Sequence, residues 1–426
     1  MKTLLIGIIL FFSSLTAFTQ TADTLRITLP EAEQQFTKNN FSLLAQKFNI
    51  EASKAQIIQA QLLPNPTVNL EQTVIPTANV ANSETIGAFG QRAIQIQQLI
   101  LIGGKRNKQV AVAKIGAEMS EYQFSELVRE LVFQLRSNFY SIHYLQKTLG
   151  IYTQEIQNIT RLVSAYKEQV EKGNIPVKEV IRLESFLITL QTEQTNISKQ
   201  IIDNESVIKI LLSNSDSNFI QPIANDEALD GLNLQALKVG DLITNATENR
   251  PDRKLQEASI RLASANLALQ KAFAKPDVVV GYSYDRAGSY VNNYHALTVS
   301  IGLPFFNKNQ GNIKAAEYQI EGNKQYLAQT ENQLRNEVLQ AYSKAQLSED
   351  LYRKMDKTFP QKFQKLIQGV VENYQKRNLT LIEFTDFLES YKNSVTQINT
   401  LQNDRIQAFE FLNFVVGRKV IVAQAP

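Results

Sequence analysis

The chain has 426 residues, 43% of them hydrophobic, and 44 Lys and Arg stand against 41 Asp and Glu for a net charge of +3. That length exceeds most single compact cores, the hydrophobic share excludes a disordered chain, and the near-balance of charge excludes nucleic acid as an electrostatic partner. With no cysteine there are no disulfides, no thiolate zinc site and no cysteine to carry a lipid.

The first residues, MKTLLIGIILFFSSLTAFTQ, place Lys2 before an apolar stretch from Leu4 to Phe12 and small residues at Ala17 and Thr19. This is the order of a secretory signal peptide over residues 1–19, and its apolar stretch is shorter than the roughly 20 residues of a spanning helix. No later run of 18 apolar residues occurs, so any membrane-embedded part must be built of strands.

The rest of the chain aligns with itself. TKNNFS (37–42) lies against TENRPD (247–252), AQLLPNP (60–66) against AFAKPDV (272–278), and LILIGGKRN (99–107) against PFFNKNQGN (304–312). EKGNIPVKEV (171–180) then faces QKRNLTLIEF (375–384), and ILLS (210–213) faces FVVG (414–417). Two copies of one unit are therefore expected, within 20–213 and 238–417, joined by a polar connection over 214–237 and followed by a tail, 418–426.

In chain order, each copy reads as helix, strand pair, very long helix, turn and helix. The first helix spans about 40–63, followed by strands TVNLEQTVI (67–75) and QRAIQIQQLIL (91–101). From about Gly104 to Lys172 an apolar stripe begins at Val128, Leu131, Leu135 and Phe139 and continues from Leu145 through Leu149, Tyr152, Ile156, Ile159, Val163, Tyr166 and Val170 in alternating steps of four and three, the period of a coiled-coil seam. Gly173-Asn174-Ile175-Pro176 breaks the stripe, and Val180, Leu183, Leu187, Leu190, Ile197 and Ile201 carry it back on an antiparallel helix over about 177–212. The second copy offers strands at 277–286 and 294–306, another long helical stretch, and the turn Arg377-Asn378-Leu379-Thr380. Each strand is about the 9 to 11 residues that cross a bilayer at a tilt. Four strands cannot close a barrel, and open edges in lipid leave amides without partners, so several chains must share one barrel.

The GGKR junction (103–106), the LPFFNKNQGNI junction (303–313), the Pro360 to Tyr374 stretch and the duplication together resemble the TolC-like outer membrane efflux proteins, in their metal- and drug-efflux branch. The resemblance implies a mainly α chain with a transmembrane β-barrel portion. Three chains would share a twelve-stranded barrel continued by a periplasmic tunnel of long antiparallel coiled-coil helices. It implies a homotrimer in outer membrane lipid, a periplasmic adaptor (membrane fusion) protein, and an inner-membrane pump of the resistance-nodulation-division type. The adaptor would meet the two turns, Gly173, Asn174, Ile175, Pro176 and Arg377, Asn378, Leu379, Thr380. The family's acidic entrance maps onto Tyr374, Gln375, Glu383 and Asp386, with Glu383 and Asp386 three apart on one helix face. Threefold repetition of those carboxylates would raise their pKa values by mutual repulsion and attract divalent cations. Leu379 stands where some relatives carry an arginine that helps lock the tip.

Other chemistry is thin. GGKR lacks the spacing and the Ser or Thr of a phosphate loop, and no nucleophile–base grouping is visible, so no enzyme activity is expected. His143 and His295 are far apart, His143 expected to pack on the long helix and His295 to face solvent, so neither metal site nor cofactor is expected. Tyr282, Tyr284, Phe305 and Phe306 are candidate membrane-interface anchors. The reading is a passive exit duct in the outer membrane with most of its chain in the periplasm, driven elsewhere, for metal ions or small toxic compounds. The alternatives are a soluble periplasmic coiled-coil scaffold or adaptor, and a type I secretion duct for polypeptides.

Overall fold

The computed structural model describes residues 24–74, 91–216, 219–235, 237–287 and 291–421. The expected signal peptide and the end of the tail lie outside the described residues. In chain order the elements are β1 (Thr24–Thr28), α1 (Leu29–Asn39), α2 (Phe41–Gln61), β2 (Thr67–Gln72), β3 (Arg92–Ile100), α3 (Lys105–Glu171), α4 (Val177–Leu212) and β4 (Phe219–Ile223). They continue as α5 (Asp226–Asp230), α6 (Val239–Asn249), α7 (Pro251–Phe273), β5 (Val278–Ala287), β6 (Asn292–Ile301), α8 (Gln310–Lys354), α9 (Phe359–Gln375) and α10 (Leu381–Val416). No described helix is long and apolar enough to cross a membrane.

The chain divides into two compact units, and neither coincides with one sequence copy. Unit 1 takes residues 1–36, 138–225 and 367–399; unit 2 takes 37–137, 226–366 and 400–426.

Unit 1 is a helical core beside a parallel two-stranded sheet, β1–β4, with Leu25 opposite Ile220 and Ile27 opposite Pro222. The 214–237 connection, expected to be a polar linker, thus contains a strand and the short α5. Pro222 is tolerated because β4 has a single ladder partner. Of the predicted seam, Phe139, Tyr152, Ile159 and Val163 of α3 and Val180, Leu183, Leu190 and Ile201 of α4 are buried, whereas Leu145, Leu149, Ile156, Tyr166 and Val170 of α3 and Leu187 and Ile197 of α4 are half-buried. α10 adds Phe384, Leu388 and Tyr391. Two buried polar groups of this core pair across helices: Lys392 Nζ lies 2.7 Å from Glu193, and Asn399 donates to the Thr148 hydroxyl at 3.0 Å. Glu155 stands apart from these pairs. It is 4% exposed, its Oε2 has no hydrogen bond, and burial alone lifts its carboxyl to about 7.

Unit 2 holds the antiparallel sheet β2-β3-β5-β6 and the packed pair α7–α8. Buried alanines on both helices, Ala258, Ala263 and Ala272 on α7 and Ala316 on α8, are the small residues that let backbones approach. Arg405, 2% exposed, spends its guanidinium on Glu349 (2.5 Å) and on the carbonyls of Leu229 (2.9 Å) and Leu232 (2.8 Å), with Tyr352 and Phe409 stacked on it. The glycine junction has a structural use: Gly103 and Gly104 both take positive φ, and Lys105 is buried in an ion pair with Asp277 at 2.7 Å. Asn309 takes the same left-handed conformation before α8 and donates to the Gln270 carbonyl at 2.9 Å.

Two strand and helix expectations change. The strand expected over 294–306 ends at Ile301, so Leu303–Phe306 leads to α8 instead. The second long helix is broken at Met355, between α8 and α9. Asp356 accepts from the amide and hydroxyl of Thr358 and pairs with Lys362, which holds its carboxyl down at about 2. Pro360, which has no N–H to give, follows in the first turn of α9.

Candidate functional site

In the four-stranded sheet, cross-strand partners share a face, and the register sorts them sharply. One face carries Val68, Ile96, Tyr282 and Leu297 in one row, and Gln98, Val280 and Val299 in the next row toward the helices. The other carries Asn69, Gln95, Ser283 and Ala296 in one row, Thr67, Gln97, Gly281 and Thr298 in the next, and Leu99, Val279 and Ser300 nearest the helices. The apolar face is open: Leu70 is 75% exposed and Leu297 86%. Among the described residues β2 and β6 are edges, each with a ladder partner on one side only. His295 is exposed near the start of β6, as expected, on the apolar face of the sheet, its Nδ1 2.5 Å from the Tyr282 hydroxyl and its ring beside Tyr284. Phe305 and Phe306 are exposed just beyond β6.

The two turns of unit 1 have one backbone plan. Gly173 (φ +73°) donates its N–H to Val170 and Asn174 to Gln169; Arg377 (φ +61°) donates to Tyr374 and Asn378 to Asn373. Both are Schellman ends, in which a left-handed residue lets two amides reach back over the last helical turn. The asparagines repeat the pattern with their side chains, Asn174 to Gln169 at 2.9 Å and Asn378 to Asn373 at 3.2 Å. Ile175 and Leu379 are half-buried, and Gly173, Asn174, Pro176, Arg377, Asn378 and Thr380 are exposed.

The entrance candidates divide. Gln375, Glu383 and Asp386 are exposed, but Tyr374 is 2% exposed and stacks on Phe384 at 4.1 Å and on Tyr166 at 5.5 Å. Tyr374 therefore belongs to the core beneath the turn rather than to the exposed face, and burial raises its hydroxyl pKa. Glu383 has a local task that the sequence reading passed over. It accepts from the Thr380 amide and the Thr380 hydroxyl, both at 2.8 Å, and its own amide donates to that hydroxyl at 3.3 Å. This is a capping box, signalled by Thr-x-x-Glu (380–383), and the Thr380 amide and hydroxyl hold the Glu383 carboxyl below its usual value. In the single chain Glu383 thus shifts opposite to the rise expected from a carboxylate ring. A cavity of about 500 Å³ beside the turn is lined by Glu155, Ile159, Tyr166, Gln375, Arg377 and Phe384. Among the described residues no group of three His, Asp or Glu side chains could hold a metal ion.

Residues 33–205 and 242–418 match the outer membrane efflux protein family. The chain belongs to that family. It is 25% identical over 313 residues, 73% of this chain and 71% of the relative, to the cobalt-zinc-cadmium resistance protein CzcC of Cupriavidus metallidurans. The fold is that of the CmeC outer membrane channel of Campylobacter jejuni, with a TM-score of 0.76 over 93% of this chain and 87% of that one at 12% identity. It is also that of the open MtrE outer membrane channel of Neisseria gonorrhoeae, with a TM-score of 0.71 over 92% and 89% at 15% identity. The chain is thus an efflux channel protein of TolC-like fold, in a family of channels rather than enzymes.

Proposed function

We propose that three copies of this chain form a passive outer membrane duct for divalent metal cations, entered through the α9–α10 turn. The observation that carries this reading is the sheet, apolar on one face, polar on the other and unpaired at both edges. Each open edge needs a neighbour in lipid, and three sets of four strands give a closed barrel of twelve. The exposed apolar face also favours the duct over a soluble scaffold, because water would penalise it. Residues 1–19 act as the signal peptide, and the helices stand in the periplasm. The duplication is supported by aligned left-handed residues, Gly104 with Asn309, Gly173 with Arg377 and Ser213 with Gly417. The two turns meet a periplasmic adaptor coupled to a resistance-nodulation-division pump, and Gln375, Glu383 and Asp386 line the entrance with Tyr374 holding the turn from behind. The metal-resistance relative supports the cargo.

Deleting the gene should lower tolerance to cobalt, zinc or cadmium. The wild-type chain should restore it, while Ile175→Glu with Leu379→Glu should not, although that variant still reaches the membrane as an oligomer. Unchanged tolerance after deletion would refute the metal cargo. In planar bilayers Glu383→Ala with Asp386→Ala should raise conductance and weaken block by divalent ions; unaltered currents would remove both residues from the entrance.

A further inference from the structure

The apolar face of the sheet ends in two arginines. Gln72 pairs with Arg92, and the β3–β5 ladder ends at Ala93 opposite Asp285; continued one rung further, that register sets Arg92 beside Arg286, and Arg286 lies between the Asp285–Tyr294 and Ala287–Asn292 pairs, next to Asn293. Two residues back along each strand the same face presents Leu70, Ile94, Tyr284 and His295. Side chains directly opposite one another on a sheet face are about 5 Å apart at Cβ, where like charges destabilise. Both arginines are exposed, and neither has an ion pair or hydrogen bond among the described residues. The adjacent carboxylate, Asp285, points to the opposite face and accepts from Gln91 Nε2 at 2.8 Å. The two cations also sit at a defined end of the sheet. Ile100 and Val278, at the other end, connect to α3 and α7, whereas Arg92 and Arg286 lie where the hairpins turn.

We propose that Arg92 and Arg286 bind the phosphate of an outer-leaflet lipid headgroup whose acyl chains lie on the apolar rows. The proposal rests on the outer membrane reading above, which places the hairpin ends of the sheet at the outer leaflet. Two planar guanidinium forks facing one anion turn a repulsive pair into a bridged one, and a phosphate with three open oxygens satisfies both. The occupant is a lipid rather than free phosphate because the same face continues into exposed Leu70, Leu297 and Val299, which inorganic phosphate leaves bare. Tyr284, donating to Asn293 Oδ1 at 2.9 Å, and Tyr282 with His295 form an amphipathic rim between the charged row and the aliphatic rows.

The test is native mass spectrometry of the full oligomer released from zwitterionic detergent, with bis-phosphorylated lipid A, dephosphorylated lipid A and inorganic phosphate as probes. The wild type should retain the phosphorylated lipid at least tenfold more tightly than the dephosphorylated one. Arg92→Gln with Arg286→Gln should lose that preference, and millimolar inorganic phosphate should not displace the lipid. Equal retention by wild type and variant, or equal binding of both lipids, would overturn the proposal, and displacement by inorganic phosphate would reassign the site to a free anion. The oligomer mass and the need for detergent are read in the same spectra, so a failure of the membrane reading shows separately as a detergent-independent single chain.

Discussion

The α3–α4 and α9–α10 hairpins of unit 1 turn with the same pair of backbone hydrogen bonds but reach the turn differently. α3 runs unbroken for 67 residues, whereas its aligned counterpart is split at Met355 into α8 and α9. Glu155, buried in α3, aligns with Phe359 at the start of α9, and Ile156 with Pro360. After the turn, α10 begins on the Thr380–Glu383 capping box, while α4 begins on Pro176 with no side-chain cap. A helical turn is specified by its left-handed residue and the amides that reach back, so the flanking side chains are free to diverge in stability and charge.

Moving the break from one hairpin to the other gives the largest expected effect. Ile156→Pro removes an amide from the middle of α3 and should cost about 3 kcal/mol or more, whereas Pro360→Ala should cost under about 1 kcal/mol. Thermal melting of the detergent-solubilised protein compares the two, and equal losses would mean that the break is not set by Pro360.

Glu155 sharpens the contrast through pH. Its folded value of about 7 lies above the ordinary 4.5, so between those values the native state holds a proton that the unfolded state has released. Its contribution is therefore most favourable below pH 4.5 and falls by roughly 3 kcal/mol as pH rises to 7. Glu155→Gln should flatten that part of the melting profile and stabilise the protein at pH 8 relative to wild type. Parallel profiles would show that Glu155 is solvated.

Smaller effects are expected at the turns. Thr380→Ala should cost about 1 kcal/mol by removing the cap, while Glu179→Ala, at the position aligned with Glu383, should stay within about 0.5 kcal/mol. Arg377→Gly should stabilise and Gly173→Ala destabilise, each by about 1 kcal/mol, because only glycine takes positive φ without a Cβ penalty. Chemical denaturation resolves these differences, and opposite signs would dissolve the shared-turn account.

The features legible in the sequence are those with a period or a breaker. The seam from Leu145 to Val170 shows the three-and-four spacing, and Gly173 and Pro176 announce the turn. Alternation in Val68-x-Leu70 and Ile94-x-Ile96 identifies strands. What stayed hidden depends on partners distant in sequence: β1 and β4 pair across nearly two hundred residues, and nothing local marks Glu155 as unpaired, since a Glu in a helix is ordinarily solvated. The break at Met355 depends on Asp356 folding back onto Thr358 and Lys362, although Pro360 was there to be read. Tyr374 carried an entrance assignment by position in a motif, and its burial follows from Tyr166 and Phe384, which no spacing reveals. For Glu383 the missed signal was present, as Thr-x-x-Glu at a helix start.

If β2 and β6 find their partners in neighbouring chains, the mass of the protein held in a lipid nanodisc must be that of an oligomer. Three chains per disc, with conductance in the same preparation, are the predicted result. A single inserted chain that conducts would contradict it.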